Sequence, residues 1–160
     1  MAGKYEHLFV RHMGDSSADL VNEGAVATGV PRPAHIGDAF ALMRAEDVPE
    51  SKIHMTYSWI GPTDEPSHWV NEHEHDYDEV LIWTVSDPEN PHDLGGEILI
   101  DIEGETYSVT TSGALYIPAG LRHCPLDFKR VTRPIRFSAL SLSGDGAYSS
   151  DEDVPRDASA

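Results

Sequence analysis

Short segments in which apolar and polar residues alternate recur along the central part of the chain. In residues 53–60 the larger apolar side chains occupy every second position and His, Thr and Ser lie between them. An alternation with a period of two is typical of a β-strand that has one buried face. Similar segments at residues 79–83, 97–102, 106–111 and 134–142 are separated by stretches rich in Gly, Pro and Asp. Many short strands joined by such turns predict an all-β sandwich or small barrel.

The two ends of the chain lack this alternation. Residues 13–34 are rich in Gly, Ser, Asp and Pro, and we expect them to be extended or loosely ordered. Residues 144–160 are rich in Ser, Asp and Glu and carry too few apolar side chains to order themselves. The sequence therefore predicts an N-terminal extension over residues 1–51, a β-barrel over residues 52–143 and a disordered acidic tail.

Composition narrows the class of protein further. A chain of 160 residues is long enough for one domain with its own core. Its single Cys excludes an intramolecular disulfide, and no apolar run approaches the roughly 18 residues of a membrane span. With 28 acidic and 11 basic residues, the net charge of −17 disfavours nucleic acid and anionic membranes as partners. We therefore expect a soluble, cytoplasmic protein.

Residues 70–83 contain the densest group of potential metal ligands. His73 and His75 are two positions apart on an extended segment, so their imidazoles leave the same face of the strand. A straight strand would carry Glu79 roughly 13 Å beyond His75, which is too far for both to bind one ion. The Asp-containing stretch 76–78 permits a turn, and the chain then returns as a second strand whose first residue, Glu79, faces the histidines.

The pattern HxHxxxE over residues 73–79 and the pattern PxGxxH over residues 118–123 resemble the two cupin motifs. The resemblance covers roughly residues 52–143. It implies an all-β double-stranded β-helix, the cupin or jelly-roll barrel, with an N-terminal extension. It also implies a metal held inside the barrel by three histidines and one glutamate. The implied ligands are His73, His75, Glu79 and His123.

The resemblance also implies a homodimer, because in dimeric cupins an N-terminal segment of this kind often packs on the partner subunit. The extension would then lie on the barrel or on the partner, and a flexible arm is the alternative. For the ligand set, one divalent transition metal per chain is expected, with Fe²⁺ favoured and Mn²⁺, Ni²⁺, Cu²⁺ or Zn²⁺ possible. An octahedral ion would keep two neighbouring positions for water, O₂ or a chelating substrate.

Aromatic and apolar residues near the motif are the predicted walls of a substrate pocket. Leu81 and Trp83 follow Glu79 by two and four positions, so they should line the same interior. Tyr57 and Trp59 would add aromatic walls if the apolar face of their strand points inward. An apolar pocket beside one metal suits a small organic substrate held through an enolate, phenolate or carboxylate oxygen.

His54 and Tyr77 are the predicted acid/base groups, although a solvated side chain at a barrel mouth is an equally ordinary role for each. Arg122 and Cys124 flank His123 on a strand, so both should point outward. Three functions follow from these residues. A dioxygenase-type oxidoreductase is slightly favoured, a non-redox lyase, isomerase or cyclase is the first alternative, and a non-catalytic binding module is the second.

Overall fold

The computed structural model describes residues 3–19 and 28–149. After a short 3-10 turn at Glu6–Leu8, the regular structure of these residues consists of strands. The strands are β1 Gly14–Asp15, β2 Phe40–Met43, β3 His54–Ile60, β4 Ser67–Val70, β5 Glu79–Val85, β6 Asp93–Ile102, β7 Glu105–Thr111, β8 Gly113–Ile117, β9 His123–Val131 and β10 Ile135–Ser141.

The strands form two antiparallel sheets that face each other. The larger sheet has the order β1-β2-β3-β10-β5-β8, and the smaller has the order β4-β9-β6-β7. Inward-facing residues of most strands lie between the sheets and build the core, in which Ile98, Ile117 and Ile135 are completely buried. The predicted all-β barrel is therefore confirmed.

A tight hairpin joins β6 to β7, as the sequence predicted. Ile102 pairs with Glu105, so only Glu103 and Gly104 form the loop. Both loop residues have positive φ, 51° and 79°, which matches the right-handed twist of the flanking strands. The hairpin extends the smaller sheet beside β9.

The aromatic side chains of β3 point outward, whereas a pocket wall would require them to point into the barrel. His54 and Thr56 are buried, whereas Trp59 is 41% exposed. Tyr57 lies on the same outer face, where its ring contacts Phe40 of β2. Burial of His54 is possible because it has a polar partner: its Nε2 lies 3.3 Å from the carboxylate of the half-buried Asp19.

The described part of residues 1–51 packs on the barrel of its own chain. Strand β1 pairs with β2, and β2 pairs with β3, so both extend the larger sheet. Arg44 is half-buried between Asp19 and Asp47, with contacts of 2.6 and 2.8 Å. In the ranges 3–19 and 28–149, no helix combines the length and apolar character needed to cross a bilayer.

The first part of the predicted tail, residues 144–149, is ordered against the barrel, in contrast to the expectation of disorder. The Gly144 N–H donates to the carbonyl of Lys52 at 3.0 Å, and the Ala45 N–H donates to the carbonyl of Gly146 at 3.1 Å. These backbone hydrogen bonds need no apolar side chains, which is why composition alone did not reveal them. Residues 150–160 lie outside the described part of the chain.

Candidate metal centre

Four potential metal ligands meet at one end of the barrel interior. One donor atom from each side chain lies within 4.8 Å of the other three, and all four residues are buried. The first two come from the extended segment after β4, the third begins β5, and the fourth begins β9. The residues are His73, His75, Glu79 and His123. These are the ligands that the cupin resemblance implies.

Backbone pairing brings the two motifs together. His73 and His123 form an antiparallel bridge in which each N–H donates to the other's carbonyl at 3.0 Å. The Gly120 N–H donates to the carbonyl of His75 at 2.8 Å. A bend at residues 76–77 then turns the chain so that Glu79 faces the histidines. The turn deduced from the spacing is therefore present.

Each imidazole is held in the tautomer that a metal requires. The Nδ1 atoms of His73, His75 and His123 lie 2.8, 2.7 and 2.8 Å from the backbone carbonyls of Asn71, Tyr77 and Leu121. A carbonyl can only accept, so each Nδ1 carries a proton, and in the neutral imidazole Nε2 then presents a lone pair. Such outer contacts fix the orientation of ligating histidines and raise their basicity.

The donor atoms are arranged as a cation would need them. Nε2 of His123 is fully buried and has no hydrogen-bond partner among the described residues. The carboxylate of Glu79 lies 3.4 Å from Nε2 of His75 and 3.4 Å from Nε2 of His123. A carboxylate this close to two imidazole nitrogens favours positive charge between them, and a divalent cation would supply it. The cluster therefore fits a divalent metal ion.

The pKa values of His73 and Glu79 agree with this arrangement. Burial, together with the neighbouring His123, lowers the pKa of His73 to about 4, so this imidazole is neutral at pH 7. Burial works to raise the pKa of Glu79, but His123 and His75 outweigh it and hold the pKa at about 2. A neutral imidazole and an ionised carboxylate are the forms that bind metal.

A small cavity adjoins the cluster. Apart from the ligands His73 and Glu79, most of its lining is apolar. The other lining residues are Val70, Leu81, Cys124, Leu126, Phe137 and Tyr148. Leu81 was a predicted pocket residue, and the structure places it in this wall.

Cys124 corrects a prediction from strand parity. It is 3% exposed and lines the cavity, although alternation from His123 would turn it outward. The pairing of β9 with β6 is irregular here, because Leu126 pairs with Ile100 while His123 pairs with Ile102. The extra residue in β9 is a bulge, which lets two successive side chains face the interior. Arg122 does point away and contacts Glu74 at 3.1 Å.

Three of the predicted pocket residues lie elsewhere. Tyr57 and Trp59 occupy the outer face of β3, so the condition for their role as pocket walls is not met. Trp83 is buried on the interior face of β5, but its indole N–H donates to the carbonyl of Thr111 at 2.9 Å and it does not line the cavity. The structure corrects these assignments, and Trp83 is a core residue.

The two predicted acid/base residues are buried close to the cluster. The Tyr77 ring stacks on His75, with centroids 4.2 Å apart, and its hydroxyl donates to the carbonyl of Ser149 at 2.7 Å. Burial raises the pKa of Tyr77 to about 12, so it is a hydrogen-bond donor at neutral pH. His54 on β3 pairs with Ser141 on β10, and Ser141 pairs with Glu79 on β5. The three side chains therefore lie side by side on the inner face of the larger sheet.

Tyr148 is a residue of the site that the sequence did not predict. Its hydroxyl lies 3.3 Å from Nε2 of His73, and its ring centroid is 5.9 Å from that of His54. The signal in the sequence is weak, because one aromatic residue follows a Gly-Asp-Gly turn in an otherwise polar stretch.

Comparison with known proteins identifies the fold. No family model matches the chain. No curated protein matches it either. The polyketide cyclase RemF from Streptomyces resistomycificus has a similar structure, with a TM-score of 0.50 and 13% identity over 93% of this chain and 89% of that one.

Two further solved structures are similar. An oxalate oxidase aligns with a TM-score of 0.50 and 15% identity over 89% of this chain and 63% of that one. A cupin superfamily protein from Desulfitobacterium hafniense aligns with a TM-score of 0.45 and 13% identity over 71% of this chain and 82% of that one. The chain has the cupin fold, and it carries a cluster of three histidines and one glutamate inside the barrel.

Proposed function

We propose that this cupin is a metal-dependent enzyme that acts on a small organic molecule through an enol, phenol or carboxylate oxygen. We further propose that its chemistry is a non-redox lyase, isomerase or cyclase reaction. The observation that carries the proposal is the buried cluster of three imidazoles with outward-donating Nδ1–H groups and one ionised carboxylate, beside an apolar cavity.

A divalent ion bound by the four side chains would supply a Lewis acid that polarises a carbonyl or stabilises an enolate. The protein's part is to hold the donors rigidly and to set their charge. The imidazoles are neutral ligands, so Glu79 alone lowers the net charge of the site, from two positive charges to one. The remaining positive charge favours an anionic oxygen on the substrate.

The cavity walls select the rest of the substrate. Val70, Leu81, Leu126 and Phe137 present hydrocarbon surface next to the ligands. A substrate that puts one oxygen on the cluster side and an apolar or aromatic body against these residues would satisfy both surfaces. A highly charged molecule would leave buried charge unpaired on the apolar side.

Hydroxyl and imidazole groups close to the cluster support proton transfer over oxygen chemistry. Tyr77, Tyr148 and His54 are buried or half-buried at the same end of the barrel, and each can donate a hydrogen bond. Positioned donors of this kind are what enolisation, elimination and cyclisation need. The similarity to a polyketide cyclase over nearly the full length of both chains points in the same direction.

The dioxygenase-type reaction favoured by the sequence is the second candidate. Similarity to an oxalate oxidase supports it, since that protein is an oxidase with a related barrel. In this case Fe²⁺ would be the expected ion. The same four ligands serve either chemistry, so the distinction depends on the reaction products.

The experiment uses protein loaded separately with Zn²⁺ and with Fe²⁺, and a panel of small enols, catechols and keto acids. O₂ uptake and product masses are measured under ¹⁸O₂. Turnover by the Zn²⁺ protein without O₂ uptake or label in the product supports the proposal. Label incorporation that requires Fe²⁺ would move the assignment to the dioxygenase, and binding without turnover by either form would indicate a binding module.

A further inference from the structure

The chain that follows β10 crosses the end of the barrel beside the metal centre. The Leu142 N–H donates to the carbonyl of Asp78 at 2.8 Å, which places the start of this crossing next to Glu79. Gly146 packs closely against residues 45–51, since a Cβ there would lie 2.8 Å from the Cβ of Ala45. The chain is thus fixed to the barrel by its backbone up to Gly146.

Beyond Gly146 the contacts with the barrel involve tyrosine hydroxyl groups, not backbone groups alone. The Ser149 carbonyl accepts from the hydroxyl of Tyr77 at 2.7 Å, and the Ser149 N–H donates to the same hydroxyl at 3.2 Å. The hydroxyl of Tyr148 lies 3.3 Å from Nε2 of His73. Two phenol hydroxyls therefore hold residues 147–149 over the ligands. Single hydrogen bonds of this kind contribute about 1 kcal/mol each.

Tyr148 fills the space that a substrate needs. It lines the cavity beside the ligands, and the volume left is about 10 Å³. That is room for about one water, whereas pockets for small organic ligands measure roughly 300 Å³ or more. The other walls come from β-strands of the core and from His73, whose backbone is paired with His123, so Tyr148 is the wall that can move aside.

The contact of Tyr148 with His73 has a chemical consequence. Nε2 of His73 presents a lone pair because Nδ1 donates to Asn71, so the Tyr148 hydroxyl is the donor in this contact. A metal ion that binds to Nε2 takes this lone pair. The contact with Nε2 is then broken, and the hydroxyl lies beside the metal, where it can donate to an oxygen of a bound molecule.

We propose that residues 147–149 form a lid over the metal centre, and that the Tyr148 hydroxyl donates a hydrogen bond to the metal-bound oxygen of the substrate. Tyr148 is then a residue that determines affinity for the oxygen-bearing end of the substrate. The lid opens for entry and then rests against the bound molecule, farther from His73 than in the empty site. This inference rests on one part of the proposed function, namely that the site binds an oxygen of the substrate.

The test uses the full-length protein loaded with Zn²⁺ and the chromophoric probe 4-nitrocatechol, whose absorption changes when it chelates a metal. Titration gives the dissociation constant, stopped-flow absorbance gives the association rate, and metal analysis checks that each variant holds equal zinc. The variants are Tyr148→Phe, which removes the donor but keeps the ring, and Tyr77→Phe, which removes the anchor of Ser149 but keeps the stack on His75. Tyr107→Phe, an exposed tyrosine on β7, is the matched control.

We expect Tyr148→Phe to weaken probe binding about three- to tenfold, the range for one lost hydrogen bond. We expect Tyr77→Phe to speed association about fivefold, because the lid loses one of its anchors. Tyr107→Phe should change neither quantity. Wild-type affinity in Tyr148→Phe, or an unchanged association rate in Tyr77→Phe, would overturn the lid and leave the proposed function standing. Failure of the zinc-loaded wild type to bind the probe would overturn both.

Discussion

His73 and His123 pair directly with each other, because each donates its backbone N–H to the other's carbonyl at 3.0 Å. The pairing also sets their imidazoles 4.3 Å apart between centroids, with the two Nε2 atoms in one cluster. The two sequence motifs are thus joined by the same bridge that builds the site. The geometry of the ligands depends on the barrel backbone, so it should persist when a single ligand is removed.

The first prediction concerns the loss of one ligand. Replacing His75 with Ala should abolish most metal binding while the protein keeps its β-sheet circular dichroism, because the core of the barrel is apolar and the ion supplements it. Metal content by mass spectrometry checks the result. His68→Ala is the control, since His68 is exposed on β4 and outside the cluster. Full metal content in His75→Ala would remove this residue from the site.

The second prediction concerns the charge of Glu79. Glu79→Gln keeps the shape and removes the only negative charge among the four ligands. For a Lewis acid, the extra positive charge preserves polarisation, so turnover per bound metal should stay within about twofold of the wild type. For oxygen chemistry, the same change should raise the reduction potential of the metal and depress turnover per metal far more. Turnover divided by metal content at saturating substrate distinguishes the two.

The third prediction tests the orientation of β3 and β5. Trp83→Ala should cost about 3–5 kcal/mol in the free energy of unfolding, because Trp83 is 4% exposed and its N–H is paired. Trp59→Ala should cost less than about 1 kcal/mol, because the side chain is on the outer face. Urea denaturation gives both values when it is done at a protein concentration at which each variant is monomeric. Equal losses would mean that the aromatic face of β3 is buried.

The fourth prediction concerns assembly, which the sequence expected to be dimeric. Outer-face residues of the larger sheet leave an apolar surface around Trp59, Tyr57 and Tyr116. Exposed apolar patches of this kind mark protein–protein contacts, and a two-fold axis lets one patch cover its own copy. We propose a homodimer through this face. Light scattering should give twice the chain mass for the wild type and one chain mass for Trp59→Asp, and a monomeric wild type would contradict it.

Much of the site follows from local sequence rules. The spacing of His73, His75 and Glu79 required a turn at residues 76–78, and the structure has its bend there. The alternation in β5 correctly placed Leu81 in the interior. These predictions succeed because strand periodicity and turn chemistry depend on neighbouring residues only.

The features that the sequence did not predict depend on distant partners. Which face of β3 is buried depends on the half-buried Asp19, whose carboxylate contacts the imidazole of His54. The inward position of Cys124 depends on a bulge in the pairing of β9 with β6. The position of Tyr148 depends on hydrogen bonds that the neighbouring residues 144, 146 and 149 form with Lys52, Ala45 and Tyr77. None of these long-range contacts leaves a periodic signal in the sequence.

The central claim is that these four side chains hold one metal ion. Crystals of the full-length protein loaded with Zn²⁺ test it by anomalous diffraction at the zinc absorption edge. We predict a single strong anomalous peak per chain, bonded to Nε2 of His73, His75 and His123 and to the carboxylate of Glu79. A peak elsewhere on the chain, or zinc-loaded crystals with no peak among these four residues, would contradict the account.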